Sequence, residues 1–168
     1  MQNNAGRILA SICTALWLSL AVISPALGGE YKSLEGLKSV KVMFDFRDDK
    51  PQSALVHLQL AHQTFKDKAL RKIDGKPKLA VVFMGGSVKL LTSKRDGFSA
   101  EEKKTLAELD KVVAAMAKDG IRLEMCMFAA DFFKVDAASV PPEIQRVPNG
   151  WISSLGYQAK GYSLIPAF

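Results

Sequence analysis

Two places in this chain carry residue types able to act on a ligand: the thiol of Cys126 and the run Gly85-Gly86-Ser87. Cys126 lies near the end of an apolar run, Ile121 to Phe128, and the carboxyl end of a buried strand is where open α/β sheets place their ligands. The chain's other cysteine, Cys13, falls inside an apolar N-terminal stretch read below as a cleaved signal. A solitary thiol cannot form a disulfide within its own chain, so Cys126 is either an inert core residue or a reactive group. A helix starting just after the strand would aim backbone N–H groups and its dipole at the sulfur and favour the thiolate. Met125, Met127 and Phe128 pull the other way by making the setting apolar. Free cysteine is among the most buried residue types, and the residues alone leave both readings open.

Gly85-Gly86-Ser87 follows a second apolar run and could form a nest of backbone N–H groups for an anion. It has neither the lysine and spacing of a P-loop nor a GxGxxG pattern, so a tight strand-to-helix turn is the favoured reading. His57 and His62 stand about 140° apart around a helix and do not converge on a metal; they read as surface or interface groups. Asp48 and Asp49 suit a helix cap, and Asp45 completes no second carboxylate motif. Neither a metal site nor a cofactor motif is expected.

The elements that must position these residues are legible from periodicity. Val40 to Phe46 reads as a first strand, and Asp48-Asp49-Lys50-Pro51 opens a helix whose Ala54, Leu58, Ala61 and Phe65 recur at helical spacing, with Leu55 and Ala69 widening the stripe. Leu79 to Met84 is an unbroken apolar run, expected for a strand covered on both faces. Val88 to Thr92 reads as a short helix. Ser99-Ala100-Glu101-Glu102 is a capping box, and Leu106, Leu109, Val113 and Met116 mark the buried face of a long helix that Gly120 ends. Ile121 to Met127 is a third strand with a short helix at Ala129 to Phe133, Glu143 to Val147 a fourth strand, Asn149 a helix opener, and Tyr162 to Ile165 the last strand. Strands alternating with helices give an α/β class with a parallel sheet and helices on both faces.

Residues 1–28 read as a signal peptide: Arg7, the uncharged run Ile8 to Ile23, then Ser24-Pro25-Ala26-Leu27-Gly28-Gly29, with cleavage after Ala26 or Gly28. Residues 29–168 are then a single domain of about 140 residues, enough to bury a core. Arg7 is the only charged residue lost, so the formal charge falls from +6 to +5. The excess is scattered, with Asp67 and Asp74 interrupting the most basic stretch and no aromatic series beside it, which argues against a nucleic-acid partner. The expected location is the periplasm, with no membrane partner after signal removal.

Val40-Lys41-Val42-Met43-Phe44-Asp45, Ala80 to Leu91 with Gly85-Gly86-Ser87 inside it, and Gly120-Ile121-Arg122-Leu123-Glu124-Met125-Cys126 resemble successive landmarks of the DsrE/DsrF-like family of sulfur-relay proteins. So do Val147-Pro148-Asn149-Gly150, Leu155, Gln158-Ala159-Lys160-Gly161-Tyr162 and Ile165-Pro166. The similarity runs over about residues 38 to 166. It implies a three-layer α/β/α fold around a five-stranded parallel sheet, and assembly into oligomers. In sulfur-transferring members the cysteine matched by Cys126 carries a persulfide between donor and acceptor proteins. Many relatives follow it with a polar residue, where this chain has Met127-Phe128. The expectation is a sulfur carrier or sulfurtransferase-like protein of the cell envelope, with Cys126 at a partly exposed strand end; the alternative is a non-catalytic oligomeric binding or scaffold protein with an inert Cys126. Phe132, Phe133, Trp151 and Tyr157 exceed what a small sheet needs, and some of them are expected to bury against another copy in a homo-oligomer, a trimer or hexamer.

Overall fold

Five short segments form one parallel sheet: β1 (Lys41–Phe46), β2 (Lys78–Phe83), β3 (Arg122–Cys126), β4 (Gln145–Val147) and β5 (Ser163–Ala167). These come from a computed structural model that describes residues 31–168. The signal sequence read in 1–28, with Cys13, lies outside the described residues. The strand order is β4-β3-β2-β1-β5, and each neighbouring pair is parallel. Central β2 is buried along all but its first residue, as its unbroken apolar run requires of a strand covered on both faces.

Strands β1 to β4 are laid down in one direction across the sheet, and the chain then returns to place β5 at the far side of β1. With right-handed crossovers this return sends its helix, α5 (Gly150–Ala159), to the face opposite the earlier helices. The connections leaving β3 and β4 therefore part to opposite faces, and a crevice opens at the carboxyl ends of these two neighbours. Cys126 and Val147 are partners in the β3–β4 register at that point.

On the first face lie α1 (Pro51–Lys66) and α3 (Ala100–Lys118). They bury the expected stripes, Ala54, Leu58, Ala61 and Phe65 on α1 and Leu106, Leu109, Val113 and Met116 on α3. The Ser99–Glu102 capping box is fully formed, the Ser99 hydroxyl accepting from the Glu102 N–H at 3.2 Å and the Glu102 carboxylate from the Ser99 N–H at 2.8 Å.

Several boundaries differ from the sequence reading, β4 for one starting at Gln145 rather than Glu143. The first helix stops at Lys66, because Asp67 leaves helical geometry and its carboxylate caps a separate helix, α2 (Lys68–Ile73), accepting from Ala69 N–H at 2.7 Å; Ala69 belongs to α2. The short helix expected at Val88 to Thr92 is a 3₁₀ helix that spans Gly85–Leu90. Strand β5 runs to Ala167 and includes Pro166, which an edge strand tolerates because the missing N–H costs no central ladder bond. Among the described residues no helix is long and apolar enough to cross a membrane.

Candidate functional site

Alternation along β3 points Glu124 and Cys126 to one face and Leu123 and Met125 to the other. All four are buried. Helix α5 lies over the first pair and supplies partners to both. Its first N–H, that of Gly150, donates to Cys126 Sγ at 3.2 Å. Further along, Tyr157 Oη donates to Glu124 Oε1 at 2.6 Å, and the Ser153 hydroxyl hydrogen-bonds the other carboxylate oxygen. Burial, and after it the bond to the Glu124 carboxylate, push the Tyr157 hydroxyl well above its ordinary pKa.

The helix can come this close because position 150 is glycine. A Cβ there would sit 2.6 Å from both Cγ and Sδ of Met84 and 3.0 Å from Cys126 Cβ. Asn149 caps the helix, its side-chain oxygen accepting from Trp151 N–H at 2.9 Å. The donor facing the sulfur thus comes from α5, not from the helix that follows Cys126 in sequence. That helix, α4 (Met127–Phe132), begins two residues earlier than its pattern indicated and has Cys126 as its N-cap, whose side chain makes no capping bond to it.

Cys126 is only 5% exposed, so the partly exposed strand end expected from sequence is corrected: Met84 and the start of α5 close over the side chain. It still lines the floor of a cleft of about 450 Å³. Phe128 and Phe132, one turn apart on α4, wall one side and Trp151 of α5 is also in the wall. These three are 71%, 71% and 68% exposed. Phe133 packs edge-on against Phe132 with ring centres 5.0 Å apart. Arg47, just past the end of β1, is the one charged residue in the lining. It makes a two-pronged contact with Asp45, Nε to Oδ1 at 2.8 Å and Nη2 to Oδ2 at 3.1 Å. That bond holds the guanidinium's pKa above its ordinary value against the opposing effect of burial, and the nearby Cys126 sulfur contributes in the same direction.

Of the run Gly85-Gly86-Ser87, only Gly85 lines the cleft. It takes φ +58°, a left-handed conformation open to glycine at little cost. Asp49 lies directly against Gly86. Ser87 is fully buried, with its hydroxyl 2.9 Å from the Phe46 carbonyl and 2.8 Å from that of Met84. Its hydroxyl locks the turn to the ends of β1 and β2 and is turned away from any ligand.

The remaining candidates are dispersed. His62 bonds Asp119 at 2.7 Å and ties α1 to the end of α3. His57 Nδ1 lies 2.9 Å from Asp48 Oδ2 without hydrogen-bond geometry. Asp48 accepts from Lys50 N–H at 3.0 Å just ahead of α1, whose N-cap is Lys50, and Asp49 pairs with Lys89 at 3.1 Å. Among the described residues no cluster of potential metal ligands forms. Of the four aromatics expected to supply interface residues, Tyr157 is buried against Glu124 and the other three line the cleft. Sequence reasoning missed Arg47 and Glu124. The rule that drew attention to Cys126, a position at the carboxyl end of a strand, also picks out Arg47. Nothing local marked Glu124, because a lone acid inside a strand acquires meaning only from the helix laid over it.

The DsrE/DsrF-like family model matches residues 41–167. Among solved structures, a protein of unknown function, MTH1491 from Methanobacterium thermoautotrophicum, is similar at 17% identity over 76% of this chain and 99% of its own, with a TM-score of 0.59. The ychN protein from E. coli is similar at 10% identity over 76% of this chain and 98% of its own, with a TM-score of 0.46. No curated protein matches the chain. The likeness to MTH1491 concerns the fold alone.

Proposed function

The chain belongs to the DsrE/DsrF-like family, and from that premise we propose that it is a sulfur carrier of the cell envelope, holding sulfane sulfur as a persulfide on Cys126. Membership supports a role of the sulfur-relay type. The observation that carries the finer reading is the Gly150 N–H on Cys126 Sγ at the floor of an open cleft. A donor fixed on the sulfur stabilises negative charge there, both on the attacking thiolate and on the sulfur that leaves when the persulfide is passed on.

The transfer is balanced without an outside oxidant. The Cys126 thiolate attacks the outer sulfur of a persulfide or polysulfide donor, the new S–S bond forms as the donor's S–S bond breaks, and the donor's inner sulfur departs as a thiolate. An acceptor thiolate then attacks the outer sulfur on Cys126 and releases the Cys126 thiolate. Location in the periplasm follows from the signal read in residues 1–28. Assembly into a trimer or hexamer is part of the same proposal. With Phe132, Phe133 and Trp151 assigned to the cleft, the apolar surface available for contact between copies includes Ile152 and Leu155 of α5 and Leu164 and Ile165 of edge strand β5, all exposed.

Burial of the thiol favours a second reading, an oligomeric binding or scaffold protein in which Cys126 is a core residue. Incubation with inorganic polysulfide separates the two. A carrier gains one sulfur mass per chain, loses it to reductant, and gains none as Cys126→Ser. Absence of the adduct, together with alkylation of Cys126 only after unfolding, leaves the scaffold reading.

A further inference from the structure

We infer that the cleft selects sulfane donors that combine an apolar organic body with a single negative charge, an arenethiosulfonate being the simplest stable example. This rests on the persulfide role of Cys126. The aromatic side chains are the first observation. Phe128, Phe132 and Trp151 stand mostly in water around the mouth of one cleft, with Met84 beside the sulfur. Three large rings at one opening form a surface that gains by stacking on another ring or covering an aliphatic body.

Arg47 supplies the second observation. Two of its donors are committed to Asp45, and Nη1 has no partner among the described residues. Asp45 is itself buried, so the guanidinium's charge is largely offset while a directional donor remains. That combination suits one anionic group held by hydrogen bonds rather than a dianion held by net charge. Thiosulfate has two charges and no apolar body. It would lose hydration against the aromatic wall and gain only one partly neutralised guanidinium in return.

The chemistry closes for such a donor. The Cys126 thiolate attacks the terminal sulfur of the thiosulfonate anion, the Sγ–S bond forms, and the bond from that sulfur to the sulfonyl group breaks. Its electron pair leaves with the arenesulfinate. Cys126 is left as the persulfide anion, the sulfonyl sulfur having been reduced as the thiolate was oxidised, and no proton or further reagent enters.

The test is the rate at which Cys126 is loaded by benzenethiosulfonate, methanethiosulfonate and thiosulfate, each divided by the rate of the same reagent with the unfolded chain to remove intrinsic reactivity. The first two share a charge and differ in the ring. The normalised rate for benzenethiosulfonate exceeds that for methanethiosulfonate by roughly tenfold, the fold-change that a good aromatic contact corresponds to, and exceeds that for thiosulfate by more. Trp151→Ala, at an exposed position that leaves the fold intact, removes most of the ring's advantage. Arg47→Gln slows both thiosulfonates, and Arg47→Lys recovers part of the loss. Equal normalised rates for all three donors, or a ring advantage untouched in both Trp151→Ala and Phe128→Ala, overturn the inference and leave the carrier role standing. Failure of every donor to load, polysulfide included, sinks the carrier role and this inference with it.

Discussion

The N–H of Gly150 donates to Cys126 Sγ across 3.2 Å, joining the first turn of α5 to the end of β3. The sequence separation is 24 residues, and the bond exists only because position 150 has no side chain. Gly150→Ala would force a methyl group against Met84 and Cys126 Cβ. Such overpacking costs about 1–3 kcal/mol, and the first turn of α5 must lift to relieve it. The expected outcome is a lower unfolding midpoint and a changed rate of Cys126 modification at neutral pH, because the lift takes the N–H off the sulfur and uncovers it. A stable variant with unaltered thiol reactivity would show that the contact is incidental.

Tyr157 governs the alkaline limit. Its folded-state pKa is raised by burial and by Glu124, so in the unfolded chain it loses its proton first, near its ordinary value of about 10. Its contribution is complete below that value and is lost as pH rises above it toward the folded pKa. Stability should fall above about pH 10, and Tyr157→Phe, though less stable at neutral pH for want of the bond to Glu124, should flatten that fall. Denaturant titrations across the alkaline range measure both slopes.

Arg146 ties down the loop that delivers β4 to the site. Its guanidinium donates to the carbonyls of Pro141, Ile144, Ala137 and Val140 at 2.6 to 3.2 Å. Arg146→Ala leaves several of these carbonyls to find new partners and should cost about 3 kcal/mol, in the range for breaking a network to a charged group. Equilibrium unfolding gives the number; a loss under 1 kcal/mol would mean water replaces the guanidinium.

In solution the chain should run as a trimer or hexamer by light scattering at micromolar concentration. Leu155→Lys, which puts a charge on the exposed face of α5, should shift the mass toward monomer while Cys126 still takes up sulfur. A monomeric wild type would remove this assembly.

Protein recovered from the periplasm should have an intact mass that starts at Leu27 or Gly29, since cleavage after Ala26 or Gly28 fits the residues present. A full-length, membrane-bound product would overturn the exported location.

How much of this was legible in the residues depends on the range of the interactions involved. The strand runs, the α1 and α3 stripes and the Ser99–Glu102 cap are repeats and contacts within a few residues, and the sequence by itself determined them together with the parallel α/β class. It also singled out Cys126, because the end of an apolar run is a local property. What the tertiary structure decided lies between elements distant in the chain. The partner of the sulfur is the start of α5 rather than the start of α4, since the return of the chain to β5 brings α5 onto that face of the sheet. Glu124 reads as a stray acid in a strand until Ser153 and Tyr157 close over it. Ser87 reads as a ligand group until the ends of β1 and β2 take its hydroxyl. Side-chain type and local period say what a residue can do, and only the packing of remote segments fixes which partner its polar atoms meet.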